Sequence, residues 1–474
     1  MPRVYRMCRA APYYLARSYT QMSPNTPVPP EEQRITDFHE ALESGSLRRA
    51  GRMLNALEPA EIGHLLESMP PSQRDVAWEL VDGAAGGEVL LHVTDDVRSD
   101  LMESMDSNEF LEATRGLDTD DLADLVAELP ANVTHAVLDS LDAQRRARLE
   151  QALAYPEDSA GGLMNTDTVS VRPEVTLDVV MRYLRRFKEG LPDLTDNLIV
   201  TNREGRYLGV LSLADILTHD PDDSVAEVMS LDIQPIPATW DAHDVANRFE
   251  QHDLVSAPVV DDQGRVLGRI TVDDVMDVIR EEAEHQFMGQ AGLSEDADMF
   301  APVLLSARRR AVWLGINLLT AFLASWVIGN FEATIEKVVA LAVLMPIVAS
   351  MGGIAGTQTL TLAVRGLALG QLSAKNARWL LVREMAVGAI NGLIWAVVVA
   401  AVAGFWFDSA GIAAIIAAAM IINLVMAALS GAVLPLALER VGIDPALAGG
   451  VILTTVTDVT GFLAFLGLAT IYLT

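Results

Sequence analysis

The chain has 474 residues, a formal net charge of −30 and a hydrophobic fraction of 51%, and its mean hydropathy is +0.27. The sequence separates its acidic and apolar parts, because residues 31–300 hold 57 acidic and 21 basic side chains whereas residues 301–474 hold 7 and 9. This distribution excludes a single soluble domain, and the lone Cys8 excludes a disulfide scaffold. A polyanionic half repels nucleic acid, so we expect cations as partners and no DNA or RNA.

Residues 1–30 carry four arginines and no acid, and they end in a proline-rich stretch. They lack the continuous apolar core of a signal peptide. We interpret them as a disordered basic tail, or as a segment that precedes the true start at Met22.

Between residues 31 and 152 apolar side chains recur three or four positions apart, which predicts amphipathic helices. A short acidic unit occurs at 60–70 and again at 120–130, and each copy ends in proline. Repeated units of this kind predict an all-α domain of stacked helical hairpins. Single acids in such a domain are usually helix caps or solvated positions, but together they oppose compaction unless cations screen them.

A second repeat follows a break at 155–164 and alternates short β-type runs with helices. The runs 208–215 and 267–274 match each other at a spacing of 59 residues. Each run carries glycine, then serine or threonine, then aspartate, at Gly209, Ser212 and Asp215 and at Gly268, Thr271 and Asp274. This repeat resembles a pair of CBS domains. The pair occupies residues 153–285, and its two domains lie at about 164–223 and 226–285.

In CBS domains the matching hydroxyl and carboxyl side chains can hold an adenosine ribose. The resemblance therefore implies an adenine nucleotide, such as ATP, at Ser212 and Asp215 or at Thr271 and Asp274. The alternative is that Ser212 and Thr271 simply cap the helices that follow them. A Walker A loop is absent from the sequence, so we expect a bound nucleotide to be sensed rather than hydrolysed.

Five apolar segments follow the basic run 308–310, and each is long enough to span about 30 Å of hydrocarbon. They are 311–329, 338–362, 386–407, 411–436 and 446–472. Basic residues concentrate before the first segment and in the connections after the second and the fourth. This asymmetry predicts a cytoplasmic acidic half and a C-terminus outside.

Asp458 lies near the middle of the fifth segment, in a run rich in threonine. An aspartate at the bilayer centre costs about 2.5–3.5 kcal/mol, so it normally faces a polar interior. The sequence places no basic residue at that depth, although Asn317, Asn391 or Asn423 could donate a hydrogen bond to its carboxylate. We therefore interpret Asp458 as part of an ion path.

The second segment contains Pro346 followed by Gly352, Gly353 and Gly356. This composition favours a broken helix with free carbonyl groups, which are tolerated only beside protein or water. The alternative is close helix packing through small residues. Carbonyl and carboxylate oxygens with few protein ligands suit Mg²⁺, which keeps several of its waters.

Three groups of motifs together resemble the MgtE-type magnesium channels. They are residues 155–161, Met345-Pro346 with 352–358, and 444–446 with 454–458. The resemblance implies a multidomain membrane protein with a helical superhelix, a CBS pair, a connecting helix at 286–307 and a five-helix transmembrane domain at 308–474. It also implies a homodimer in the cell inner membrane whose pore is lined by the second and fifth spans.

Residue by residue, the resemblance implies that Asp458 holds a hydrated Mg²⁺ with help from the backbone near Gly352, Gly353 and Thr454. It places Asp444 at the cytoplasmic mouth, where the family uses a gating metal. It further implies that cytosolic Mg²⁺ closes the channel by bridging acids, with ATP tuning the response. The acids chosen for this sensing role are Asp95, Asp96, Asp121, Asp274, Asp277 and Glu281.

Two departures from the family pattern matter. Ile354 stands where the pore motif usually has asparagine, and His285 and Gln286 align with an acidic pair of the connecting helix. The first departure favours an alternative, a divalent-cation transporter with relaxed selectivity that also passes Mn²⁺ or Co²⁺. A further alternative is a nucleotide-sensing membrane protein without conduction, whereas no catalytic constellation supports an enzyme.

Overall fold

The computed structural model describes residues 30–127, 129, 131–186, 191–192, 194–294, 297–373 and 375–473. The tail predicted at 1–30 lies outside these residues except for Pro30, which begins the first helix. Within the described part, the predicted fold class is confirmed: a helical domain, two small α/β modules and a membrane domain follow one another along the chain.

The acidic helical domain is built from short helices. The helices are α1 Pro30–Glu43, α2 Leu47–Leu54, α3 Pro59–Glu67, α4 Pro71–Trp78, α5 Gly86–Leu91, α6 Asp95–Ser104, α7 Ser107–Ala113, α8 Thr119–Ala127, α9 Ala131–Ser140 and α10 Ala143–Ala152. Among them, α3, α7 and α10 begin at acidic caps. Asp106, for example, accepts hydrogen bonds from the backbone N–H groups of Asn108 and Glu109, which would otherwise lack partners. One apolar core runs through the domain from Phe38 to Ala152.

The two α/β modules have the same topology. Each contains a three-stranded sheet in which the first strand pairs parallel with the second and the second pairs antiparallel with the third. The strands are β1 Ser170–Val171, β2 Asn197–Thr201, β3 Tyr207–Ser212, β4 Ile236–Pro237, β5 Ser256–Val260 and β6 Val266–Thr271. The accompanying helices are α11 Leu177–Arg186, α12 Leu213–Thr218, α13 Val225–Val228, α14 Ala242–His252 and α15 Val272–Gly289.

Residues 155–164 attach the end of the helical domain to the second module rather than to the first. The backbone N–H of Ala160 donates to the Trp240 carbonyl at 2.7 Å, and Ala160 and Met164 are buried in the core beneath β4, β5 and β6. The helical domain is thereby held next to the module from which α15 leaves.

The helix that leaves the second module lies earlier in the chain than the predicted connecting helix at 286–307. It is α15, because Thr271 and Asp274 form a capping box directly after β6. The described residues between Gly289 and Val303 are outside helices. An 18-residue helix spans about 27 Å, so α15 reaches from the second module to the membrane domain, where Gly289 lies against Ala446.

The described part of the membrane domain contains five helices that are long and apolar enough to cross a bilayer. They are α16 Val303–Gly329, α18 Ala340–Ala368, α19 Ala377–Phe407, α20 Ala410–Val441 and α21 Pro445–Leu473, and the short α17 Glu332–Lys337 lies between the first two. Helix α20 packs against α18, α19 and α21. The break predicted in the second segment is wrong, because α18 continues through Pro346 and the glycines. Proline removes one backbone donor, and tight packing of neighbouring helices holds the rest of α18.

Two ion pairs join the helical domain to the start of the membrane domain. Arg74, 1% exposed, donates to Asp298 at 2.8 Å and to the carbonyls of Leu66 and Met69. Arg309 on α16 donates through both of its terminal nitrogens to Asp96 on α6. These contacts are direct and need no ion between them.

Candidate ion pathway and acidic cleft

A shallow cleft runs along α18 and α21 within the membrane domain. Its single carboxyl group is that of Asp458, and its lining is Ala349, Ser350, Gly353, Ile354, Thr357, Gln358, Thr454 and Asp458. The hydroxyl of Thr357 donates to the Gly353 carbonyl at 2.9 Å, and that of Thr454 donates to the Gly450 carbonyl at 2.8 Å. Their oxygen lone pairs therefore remain available to accept hydrogen bonds from the waters of a hydrated cation.

The cleft brings together three of the four residues chosen from the sequence for the pore. Asp458, Gly353 and Thr454 line it. Gly352 does not, because it is buried on another side of α18 against Asn423 of α20. Asn423 in turn donates to the Val348 carbonyl at 2.7 Å, so the structure does not use it as a partner of Asp458.

A second cavity, of about 290 Å³, shares Thr357 and Thr454 with the cleft. It extends toward the end of α15, because Gln290, Gly292, Trp313 and Pro445 also line it. Cleft and cavity thus adjoin at Thr357 and Thr454, and the cavity lies between Asp458 and the end of α15.

The predicted cytoplasmic mouth lies at Asp444, where α21 begins. Its carboxylate accepts from the backbone N–H of Ala446 at 2.8 Å and of Leu447 at 3.2 Å, which satisfies the first turn of the helix. His285 Nε2 of α15 lies 2.9 Å from Asp444 Oδ2. Glu282 and Glu439 line the same pocket, so the mouth is acidic.

A large acidic cleft lies where the helical domain faces the second α/β module and α15. Five of the six acids chosen for cation sensing line it: Asp95, Asp121, Asp274, Asp277 and Glu281. Sequence reasoning missed further members, which are Asp120, Asp124, Glu157, Asp158, Asp241 and Glu282. Asp124 follows Asp120 by four positions and Asp121 by three, a spacing that places it on the same face of α8 as both and could have signalled this group.

Asp96 was chosen from the sequence as a sensing acid, but its carboxylate is engaged by Arg309 of α16. This hydrogen bond holds the pKa of Asp96 below its ordinary value. An ionised carboxylate that already has a guanidinium partner gains little from a second cation. The sequence could not reveal this pair, because its members are more than two hundred residues apart.

The acidic cleft perturbs its own carboxyl groups. Burial first, and then the charges of Glu157 and Asp121, raise the pKa of Asp124 to about 8. Burial and Asp273 raise the pKa of Asp274 to about 7, and burial with Asp118 raises that of Asp121 to about 6. Asp120 is 8% exposed, its pKa is raised well above the ordinary value, and its Oδ1 has no hydrogen-bond partner among the described residues. Oxygen ligands and excess negative charge are what a hard divalent cation prefers.

These carboxylates surround the cleft without converging on one point. Among the described residues, no three His, Cys, Asp or Glu side chains lie close enough together to hold a metal ion directly. A cation that keeps its first hydration shell suits this spacing, since its waters can bridge to carboxylates on opposite walls. Arg98, which pairs with Asp95, and Arg280 also line the cleft and offset part of its charge.

The two candidate nucleotide sites differ in their surroundings. Ser212 caps α12 by accepting from the Asp215 N–H at 3.2 Å, and Asp215 is partly exposed. Thr271 donates its hydroxyl to Asp274 at 3.0 Å, and Asp274 faces the acidic cleft. The negative charge of the acidic cleft repels a triphosphate at Thr271 and Asp274. Of the two predicted adenine-nucleotide sites, Ser212 and Asp215 therefore form the more favourable one.

Comparison with known proteins decides the family. A magnesium transporter MgtE from Thermus thermophilus is 33% identical over 453 residues, covering 94% of this chain and 99% of that protein. The chain belongs to the MgtE family. A magnesium transporter MgtE from Bacillus subtilis is 27% identical over 434 residues, covering 91% of this chain and 96% of the relative.

Family models divide the chain in agreement with this assignment. The MgtE model, described as a divalent cation transporter, matches residues 345–468, and the MgtE intracellular N domain matches 57–158. The CBS domain model matches 160–222 and 225–281. A crystal structure of the cytosolic domain of the Mg²⁺ channel MgtE in complex with ATP is 33% identical, with a TM-score of 0.47, and covers 52% of this chain and 99% of that one. The MgtE assignment indicates transport rather than catalysis.

The raised carboxyl pKa values predict how stability depends on pH and divalent cations. The folded form of this MgtE chain binds more protons than the unfolded form, so its stability falls as pH rises from about 4 toward 8. In Mg²⁺-free buffer the melting temperature of the full-length protein in detergent should therefore be lower at pH 8 than at pH 6. Adding Mg²⁺ at pH 8 should restore the melting temperature. At a hundredfold excess of Mg²⁺ over its dissociation constant, the gain in the free energy of unfolding is about 2.7 kcal/mol.

Asp124→Asn should raise the Mg²⁺-free melting temperature at pH 8 and reduce the further gain from Mg²⁺. Asp222→Asn is the matched control, because Asp222 is exposed in the connection after α12 and does not line the cleft. A melting temperature that stays level or rises from pH 6 to pH 8 without Mg²⁺ would contradict this account.

Proposed function

We propose that this protein is a homodimeric Mg²⁺ channel that admits magnesium passively across the cell inner membrane and is closed by cytosolic Mg²⁺. The observation that carries the proposal is the Asp458 carboxylate, which lies within a membrane-crossing helix in a cleft that also contains the hydroxyl groups of Ser350, Thr357 and Thr454. The family assignment supports transport of a divalent cation, and the names of the relatives support magnesium. A cytoplasmic acidic half follows from the basic residues at the ends of the spans.

The exposure of the cleft supports a second copy of the chain. Thr357, Gln358 and Thr454 are exposed on membrane-crossing helices, beside the carboxylate of Asp458. Polar and charged groups are costly against lipid, so this surface requires a polar partner. Two copies that face each other here would enclose one water-filled path with two Asp458 carboxylates.

Such a path suits an ion that stays hydrated. One carboxylate from each copy neutralises a divalent charge, and the Thr357 and Thr454 hydroxyl oxygens can accept from its waters. Mg²⁺ dehydrates reluctantly and is commonly held by one or two carboxylates together with water. Passive entry then needs no coupled reaction, because the membrane potential favours inward movement of cations.

The pore assignment predicts that Asp458→Ala abolishes Mg²⁺ uptake. Removing the carboxylate leaves the ion without a counter-charge at the depth of the membrane, so flux into proteoliposomes should fall by at least about a hundredfold. Asp408→Asn is the control, because Asp408 lies after the end of α19 and outside the cleft. Unchanged Mg²⁺ flux through purified, monodisperse Asp458→Ala protein would refute the assignment.

Gating is proposed to act through α15. Its first turn carries Asp274 in the acidic cleft, its middle carries Glu281, and its end contacts α21 at Ala446. Hydrated Mg²⁺ in the cleft would screen the carboxylates and hold α15 against the pore mouth. Loss of Mg²⁺ would restore the repulsion and release the helix.

The mouth itself supports a gating ion in the acidic cleft rather than at Asp444. His285 already lies within hydrogen-bond distance of Asp444, and Asp444 also caps α21. Where the family pattern has an acidic side chain, this chain has His285, whose imidazole can hydrogen-bond the Asp444 carboxylate directly. A metal at Asp444 remains a prediction from the family resemblance.

The gating proposal predicts the behaviour of a neutralised cleft. In the double variant Asp121→Asn with Asp124→Asn the repulsion is reduced, so flux at low cytoplasmic-side Mg²⁺ should fall severalfold and depend less on that concentration. Flux through oriented proteoliposomes, measured while cytoplasmic-side Mg²⁺ is varied, provides the test, with Asp222→Asn as control. A variant with the same Mg²⁺ dependence as the unmodified protein would contradict gating through this cleft.

A second candidate function, a divalent-cation transporter with relaxed selectivity, is favoured by Ile354. This side chain is 56% exposed and lines the cleft beside Asp458. An isoleucine cannot hydrogen-bond the waters of a hydrated ion, so it cannot help to reject ions that lose their waters more readily.

Ile354→Asn should therefore raise the preference for Mg²⁺ over Mn²⁺ and Co²⁺, by about tenfold if the new amide contributes one hydrogen bond of about 1.4 kcal/mol. The measurement is competition of each ion with Mg²⁺ flux, and Ile354→Leu controls for a change of shape alone. If the unmodified protein already excludes Mn²⁺ and Co²⁺ strongly, the relaxed-selectivity function is eliminated.

Binding of ATP or another adenine nucleotide at the CBS pair remains a proposal from the sequence pattern at Ser212 and Asp215. A purely nucleotide-sensing, non-conducting protein is less well supported, because such a protein has no need for the Asp458 cleft.

A further inference from the structure

Asn423 is a buried polar side chain in the middle of the membrane domain that the proposed ion path does not use. It is 0% exposed, it lies on α20, and its Nδ2 donates to the Val348 carbonyl of α18 at 2.7 Å. Its Oδ1 has no hydrogen-bond partner among the described residues. A buried polar atom without a partner is costly, so apolar packing alone does not account for an asparagine here.

The amide of Asn423 is enclosed by two glycines on different helices. A Cβ atom built on Gly352 of α18 would lie 2.3 Å from Asn423 Nδ2, and one built on Gly461 of α21 would lie 2.8 Å from it. Both distances are far shorter than van der Waals contact. The amide therefore fits only because both neighbours are glycine.

This contact lies directly behind the ion cleft. Gly352 precedes Gly353 of the cleft lining, and Gly461 follows Asp458 by three residues, less than one helical turn. Helices α18 and α21 thus present one side to the cleft and another to the same asparagine. The hydrogen bond to Val348 fixes α18 along its axis, and the amide separates it from α21.

We propose that Asn423 is a positioning residue that sets the separation and register of α18 and α21, and thereby the distance at which Asp458 meets the hydrated ion. The role of Gly352 follows from the same contact. It makes room for the Asn423 amide rather than offering its own backbone to the ion. This inference rests on the proposed ion path at Asp458 and adds a residue on a third helix to it.

The test is a double-mutant cycle in the full-length protein, read as Mg²⁺ flux into proteoliposomes. Gly352→Ala alone should reduce flux by about a hundredfold, because its methyl group displaces the Asn423 amide and shifts the cleft. Adding Asn423→Ala removes the clashing atoms, so the double variant should recover at least about tenfold of that loss. A double variant no more active than Gly352→Ala alone would overturn the inference.

Asn423→Ala by itself separates positioning from a merely structural role. It only removes atoms, and it should raise the Mg²⁺ concentration for half-maximal flux and lower the preference for Mg²⁺ over Mn²⁺, each by about tenfold. A change confined to the yield or the maximal flux, with half-saturation and preference unchanged, would contradict positioning.

The controls are Asn391→Ala, exposed on α19, and Gly467→Ala, which has open space around its Cβ position on α21. Neither should alter half-saturation. Flux through the unmodified protein separates a failure of the proposed function from a failure of the role of Asn423. If it carries no Mg²⁺, the proposed function fails, whereas normal flux with additive effects in the cycle refutes only the role of Asn423.

Discussion

Repulsion between carboxylates in a partly buried cleft is the constraint on which the cytoplasmic half depends. Two like charges 4 Å apart at an effective dielectric constant near 20 repel by about 4 kcal/mol, a large share of the 5–15 kcal/mol that stabilises a typical domain. Asp121 and Asp124 come from α8, Glu157 from the connecting segment, and Asp274 from the start of α15. Without protons or cations in the cleft, this repulsion opposes the contact between these elements.

In the proposed gating, this arrangement would convert a change in ion concentration into a change in how the domains dock. The walls of the cleft belong to separate elements, so screening them changes how tightly those elements dock. Helix α15 belongs to one wall and ends at the pore mouth, so a change in docking has a direct route to α21. No long chain of side-chain couplings is required, because a single rigid helix links the two places.

The sequence predicts the broad organisation because it depends on local patterns. Five apolar segments, two matching α/β runs and an acidic helical region are each readable from composition and periodicity. The position of Asp458 and the membership of Asp121, Asp274 and Glu281 in one cleft follow from the family motifs. Three features could not be read in this way: the ion pair that occupies Asp96, the continuity of α18, and the burial of Gly352. Each depends on a partner distant in sequence, Arg309 in the first case and Asn423 in the last.

The direct ion pairs between the helical domain and the membrane domain restrict how the acidic cleft can open. Arg74 with Asp298, and Asp96 with Arg309, join the two parts through residues that do not line the cleft. A buried pair such as the first is costly to break, since separation leaves a charge without its partner. In the proposed gating, the cleft would therefore open while these two ion pairs stay in place. The helical domain would then stay tethered next to the first span, and the cleft could close again without a diffusional search.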